Sequence, residues 1–145
     1  MSYINPSLYQ YDTIWFNDTV HIHLEESVLK GLNSILELSD LNLSGNKDII
    51  DLEPISRLSN LRTLDVSSTQ IQDIYPVRNL TKLHTLNCSN TFISNTEALT
   101  YAMELAILNI SNTPISNITS LSNLNNLLIL DISNTSIDNL SVCSE

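Results

Sequence analysis

The stretch Leu61-Arg62-Thr63-Leu64-Asp65-Val66-Ser67-Ser68-Thr69-Gln70-Ile71 decides the fold, because its skeleton recurs to the end of the chain. The anchors Leu61, Leu64, Val66, Ser67, Thr69 and Ile71 return as Leu83, Leu86, Cys88, Ser89, Thr91 and Ile93. They return again as Leu105, Leu108, Ile110, Ser111, Thr113 and Ile115, then as Leu127, Leu130, Ile132, Ser133, Thr135 and Ile137. The threonines at 69, 91, 113 and 135 step by a constant 22 residues. A fixed period of this size describes a solenoid, in which each copy buries its apolar face only against the next.

Within one copy, Leu64 and Val66 alternate with polar neighbours, the period of a half-buried strand. Thr69 marks the bend, and Ile71 and Ile74 turn inward on the far side. Pro76 restricts any helix to begin near it, and Val77 and Leu80 restore apolar contacts before Leu83 opens the next strand. So short a period leaves room for a strand, two turns and at most a 3-10 segment. Stacked copies put equivalent strands side by side, about 4.8 Å apart, in a parallel sheet. The threonine column, begun by Asn46, is expected to satisfy backbone groups at the bend. Serines 44, 67, 89, 111 and 133 form a second ladder at the strand ends. That is a backbone-fitting role, since no histidine and aspartate are placed to activate them.

The pattern resembles the leucine-rich repeat family, and within it the 22-residue class of phosphatase-regulator and internalin-type repeats. The resemblance covers about Leu38 to Ser141, with departures. Ile49 falls three residues after Asn46 where later copies use two, Thr96 replaces the second isoleucine of the third copy, and the fifth copy stops near Leu140. The resemblance implies an α/β solenoid with a parallel sheet on its concave face, short 3-10 or irregular convex segments, and protein binding through the strand face.

Two parts of one domain are expected, an N-terminal cap over 1–37 and about five repeats over 38–145, the last incomplete. In the cap, Val20-His21-Ile22-His23-Leu24 alternates like a degenerate strand, and Glu25 to Leu36 spaces Val28, Leu29, Leu32 and Ile35 like a short helix. Trp15, Phe16, Tyr3, Tyr9 and Tyr11 supply bulk for a lid, which a solenoid end requires.

The formal charge is -10, and every lysine and arginine lies between Lys30 and Lys82. Such a chain repels phosphate backbones and anionic lipids, so neither nucleic acid nor membrane is an expected partner. No apolar run approaches the ~20 residues of a membrane helix, and Met1 to Pro6 does not read as a secretory leader. Cys88 takes a place held elsewhere by Val66, Ile110 and Ile132, so a buried, reduced thiol and a cytoplasmic setting are expected. The N-x-S/T triplets at Asn17, Asn42, Asn79, Asn87, Asn109, Asn117, Asn134 and Asn139 follow from the Asn-Ser habit of the repeat.

Three columns should face outward from the strands. The first reads Asn42, Asp65, Asn87, Asn109, Asp131, the second Asp40, Thr63, Thr85, Ile107, Ile129, and the third Ser39, Arg62, His84, Ala106, Leu128. The N-terminal half suits polar recognition, whereas Ile107, Leu128 and Ile129 put apolar side chains where solvent should be. The expected partner-binding residues are Arg62, Asp65, His84, Asn87, Ile107, Asn109, Leu128, Ile129 and Asp131. Column positions such as Asp131 should tolerate substitution within about 0.5 kcal/mol. The expected function is a non-catalytic protein-binding scaffold, the alternative a homodimer or larger assembly through an uncapped apolar C-terminal end. His21, His23 and Glu25 share a strand face, but without a further His/Cys cluster they do not make a metal site. No phosphate-binding glycine loop is present, the glycines being Gly31 and Gly45, and no cofactor is expected.

Overall fold

The computed structural model describes residues 38–138 together with the strand Thr13–Trp15. Six short strands, β1 (Thr13–Trp15), β2 (Asp40–Asn42), β3 (Thr63–Asp65), β4 (Thr85–Asn87), β5 (Ile107–Asn109) and β6 (Ile129–Asp131), form one parallel sheet in sequence order. The register follows the repeat, with Leu41, Leu64, Leu86, Leu108 and Leu130 paired in succession. The expected solenoid is therefore present.

Each of the strands β2 to β6 is followed by a left-handed corner. Gly45, Ser68, Asn90, Asn112 and Asn134 all have positive φ, between 54° and 75°. At four of these corners the backbone N–H crosses to the next coil, Gly45 donating to the Ser67 carbonyl and Asn112 to that of Ser133, both at 2.8 Å. Beyond the corner, Thr69, Thr91, Thr113 and Thr135 donate their hydroxyls to the carbonyls of Val66, Cys88, Ile110 and Ile132 at 2.6–2.7 Å. Asn46 Nδ2 does the same to Leu43 at 2.9 Å. These side chains are buried in the first three threonine copies and in Asn46, and each accounts for a carbonyl that the bend would otherwise strand.

The return limb uses 3-10 turns, Glu53–Ile55, Tyr75–Asn79, Glu97–Leu99 and Thr119–Leu121. Each is opened by an Asx side chain: Asp51, Asp73, Asn95 and Asn117 accept the backbone N–H two residues on. Pro54 and Pro76 sit at the start of their turns, where a missing N–H costs nothing. Between strand and return limb lies one apolar core, in which Leu61, Leu64, Val66, Leu86, Cys88, Leu108 and Ile110 are all fully buried.

The irregular first copy is absorbed locally. Lys47 and Asp48 bulge into solvent, and Ile49 rejoins the isoleucine column, 3% exposed, with its carbonyl accepting from Gln70. Thr96 stays inward as well, 1% exposed, with its hydroxyl 2.5 Å from that of Ser120. The place beside β2 is taken by Thr13–Trp15, with Thr13 opposite Asp40. A β-branched and aromatic tripeptide is a good strand former, and β2 has a single edge to offer on that side. The strand expected at 20–24 and the helix expected at 25–36 lie outside the described residues. Among the described residues no helix is long and apolar enough to cross a membrane.

Candidate binding face

The register brings Asp65, Asn87, Asn109 and Asp131, with Ile107 and Ile129, into adjacent columns, and Arg62, His84 and Leu128 precede β3, β4 and β6. Asp65, Asn87, Asn109 and Asp131 follow one another across β3 to β6, half-buried, and Ile107 is paired with Ile129 beside them. Arg62, His84 and Leu128 stand exposed at the entrance to their strands. The apolar half is open to solvent: Leu128 is 83% exposed and Ile129 57%. Leucine and isoleucine at those exposures contrast with a core whose inner residues are at or near zero.

The column of Asn42, Asp65, Asn87, Asn109 and Asp131 has a second duty that spacing alone had not assigned to it. In each, Oδ1 accepts both the backbone N–H and the hydroxyl of the serine two residues on, at 2.6–3.1 Å. These are Asx turns, and they fix the corner that follows the strand. The Asx-x-Ser spacing is their signal in the sequence. It is also why the glycosylation-like triplets at Asn42, Asn87 and Asn109 recur. Across the sheet, Asn87 Nδ2 donates to Asp65 Oδ2 at 3.1 Å, so neighbouring copies are stitched laterally. Asp131, expected to be exchangeable almost without cost, has a side chain that holds the turn to Ser133. The hydrogen bonds from the Ser133 hydroxyl and then its N–H hold the Asp131 carboxyl below the usual carboxylate range.

Cys88 lies at the centre of the core, where burial and then the charge of Asp65 push its thiol up. A protonated, enclosed thiol is neither nucleophile nor ligand. His21, His23 and Glu25 lie outside the described residues; among the described ones no group of three His, Cys, Asp or Glu side chains is placed to hold a metal ion. On the return limb the Arg78 guanidinium stacks 4.6 Å from the ring centre of Tyr75, away from the strand face.

Residues 59–101 match the family model of leucine-rich repeats in two copies. No curated protein matches the chain in sequence. Among solved structures, internalin C2 from Listeria monocytogenes is 25% identical with a TM-score of 0.74, over 80% of this chain and 51% of its own. Internalin F from the same organism is 25% identical with a TM-score of 0.68, over 79% of this chain and 40% of its own. The plant peptide hormone receptor RGFR1, solved in complex with RGF2, is 20% identical at a TM-score of 0.65, over 74% of this chain and 19% of the receptor. The chain thus spans about half the length of the first of these and less of the others. The family match falls on the second and third copies, and the coils on either side repeat their register, corners and threonine bonds, so the leucine-rich repeat fold extends through the described coils.

Proposed function

We propose that this solenoid is a non-catalytic scaffold that binds another protein through its strand face. One observation carries the reading: the face changes from polar at Arg62 and His84 to solvent-exposed apolar at Leu128 and Ile129. A sheet pinned by cross-coil bonds presents such side chains with little conformational freedom left to lose on docking. The fold lends support, since leucine-rich repeat proteins commonly mediate protein–protein contacts, and RGFR1 was solved in complex with RGF2. The test is affinity capture, comparing wild type with an Ile107→Asp, Ile129→Asp variant whose circular dichroism and melting remain native. A discrete protein held by wild type and released by the variant is the expected result. Equal retention by both would remove the strand face from the reading.

A second reading, assembly of identical chains through the C-terminal end, is favoured by the state of β6. Among the described residues that strand is hydrogen-bonded to β5 alone, and the inward-facing Leu127, Leu130 and Ile132 are only partly buried where their equivalents in inner coils are fully so. An open edge above a partly exposed core is suited to pairing about a twofold. Sedimentation equilibrium decides it: a dimer dispersed by Ile132→Lys supports assembly, and a monomer at all concentrations discards it.

A further inference from the structure

The column at the strand entrance has a gap. It carries Arg62, His84 and Leu128, all exposed, but between the last two stands Ala106, which is 3% exposed. The missing side chain leaves a depression of about 390 Å³, floored by Ala106, walled by His84 and Leu128 and rimmed by Glu104, Asn125 and Asn126.

Two of these groups are fixed in place. His84 Nδ1 is 3.0 Å from the Glu104 carbonyl oxygen, and since a carbonyl only accepts, Nδ1 carries the proton and donates it. Asn126 Nδ2 donates to the Met103 carbonyl at 2.7 Å. The depression is therefore formed before anything enters it.

Its charge is one-sided. The exposed Glu104 is the acidic residue of the rim, and the chain has no lysine or arginine after Lys82. Lys82, which precedes Glu104 by one period in the same column, is directed to the opposite neighbour, its Nζ donating to Asn60 Oδ1 at 2.6 Å. The depression thus offers an apolar floor and wall beside an acidic residue that shares the rim with His84 but with no lysine or arginine.

We propose that this notch is an anchor site for an extended protein segment that presents an aliphatic side chain next to a lysine or arginine. The aliphatic group fills the space over Ala106 against Leu128, and the cation meets Glu104. The proposal rests on the strand-face reading and names the chemistry of its partner.

The test titrates the isotope-labelled protein with two blocked tetrapeptides, one with leucine beside lysine and the other with glutamate for the lysine, following backbone amide shifts. The lysine peptide is expected to move Glu104, Ala106 and Asn126 and to bind about threefold more tightly than the glutamate peptide, the size of one exposed ion pair. Ala106→Arg, which copies the exposed Arg62 of the same column, should abolish binding while the dispersion of the amide spectrum stays native. Glu104→Gln should make the two peptides equal while the leucine contact persists. Shifts confined to Ile107 and Ile129 would overturn the notch yet leave the strand-face reading intact. Indifference to peptide charge, or survival of the shifts in Ala106→Arg, overturns it too. No shift with either peptide at millimolar concentration also overturns it, and the strand-face reading then stands or falls on its own capture experiment.

Discussion

Ser68 occupies a left-handed corner, with φ at 57°, where the first coil has Gly45 and the later ones Asn90, Asn112 and Asn134. Glycine pays no steric cost there and asparagine little, because its short amide bonds locally, whereas other side chains crowd the following carbonyl. Serine is thus the least suited residue of the series. Ser68→Asn is expected to raise stability by about 0.5–1 kcal/mol, seen as a higher urea midpoint at unchanged slope. A lowered midpoint would mean that the corner does not limit the coil. The same scale governs pH. Asp131 has its carboxyl held below the usual range by Ser133, so its contribution to folding is complete above the unfolded-state pKa. That contribution is lost as pH falls through the lower folded-state value. Between wild type and Asp131→Asn, which keeps the Oδ1 acceptor but cannot titrate, the difference in melting temperature should therefore change as the solution is acidified below the ordinary aspartate range. Parallel curves would deny Asp131 this role. The turn duty of the column was legible in principle, since Asx-x-Ser repeats in the sequence. It was passed over because the same residues alternate with buried leucines, and alternation alone reads as an outward-facing surface.

Among the elements, the 3-10 turns depart from pure apolar stacking at one point. Thr96 stands where the other coils place Leu52, Ile74 and Ile118, and it stays fully inward with its hydroxyl against Ser120. The other neighbour of that hydroxyl, the Asn117 carbonyl, is at 3.5 Å. Ser120→Ala removes the close partner and leaves a buried hydroxyl poorly satisfied, so a loss of about 1–2 kcal/mol is expected. Thr96→Val in the same background removes the orphaned group and should recover most of that loss. If the two substitutions prove additive in chemical denaturation, the hydroxyls are not coupled. The sequence showed Thr96 as an exception to the isoleucine column but could not show its partner, because Ser120 belongs to the next coil and only the register brings the two together. The insertion before Ile49 was visible for the opposite reason: it breaks a count within a single copy. The neighbour of β2 was not legible because Thr13–Trp15 carries no trace of the repeat, while residues 20–24 imitate its alternation and nearly its period. Periodicity finds copies of a unit. It does not find the segment that closes their stack.

For the whole molecule, stability is a sum over coils and the contacts between neighbours, so position along the stack sets what a side chain is worth. Leu108 is fully buried between β4 and β6, while Leu130, its equivalent in β6, has among the described residues a strand on one side and is only partly buried. Leu108→Ala should cost about 2–5 kcal/mol, and Leu130→Ala clearly less, since part of its surface already faces water. The same asymmetry predicts a gradient of amide protection, because coils open most readily where fewest contacts hold them. The amide of Cys88, which donates to Asn109 in the middle of the sheet, should exchange far more slowly than that of Ile129, which donates to Ala106 from the last strand. Hydrogen exchange followed residue by residue at two protein concentrations reads this gradient directly. Protection of Ile129 that rises with concentration would require a second copy against β6, because only an intermolecular contact depends on concentration. Protection that stays low at both leaves the edge open and makes the strand face, whose residues are the same in either state, the surface with a partner to find.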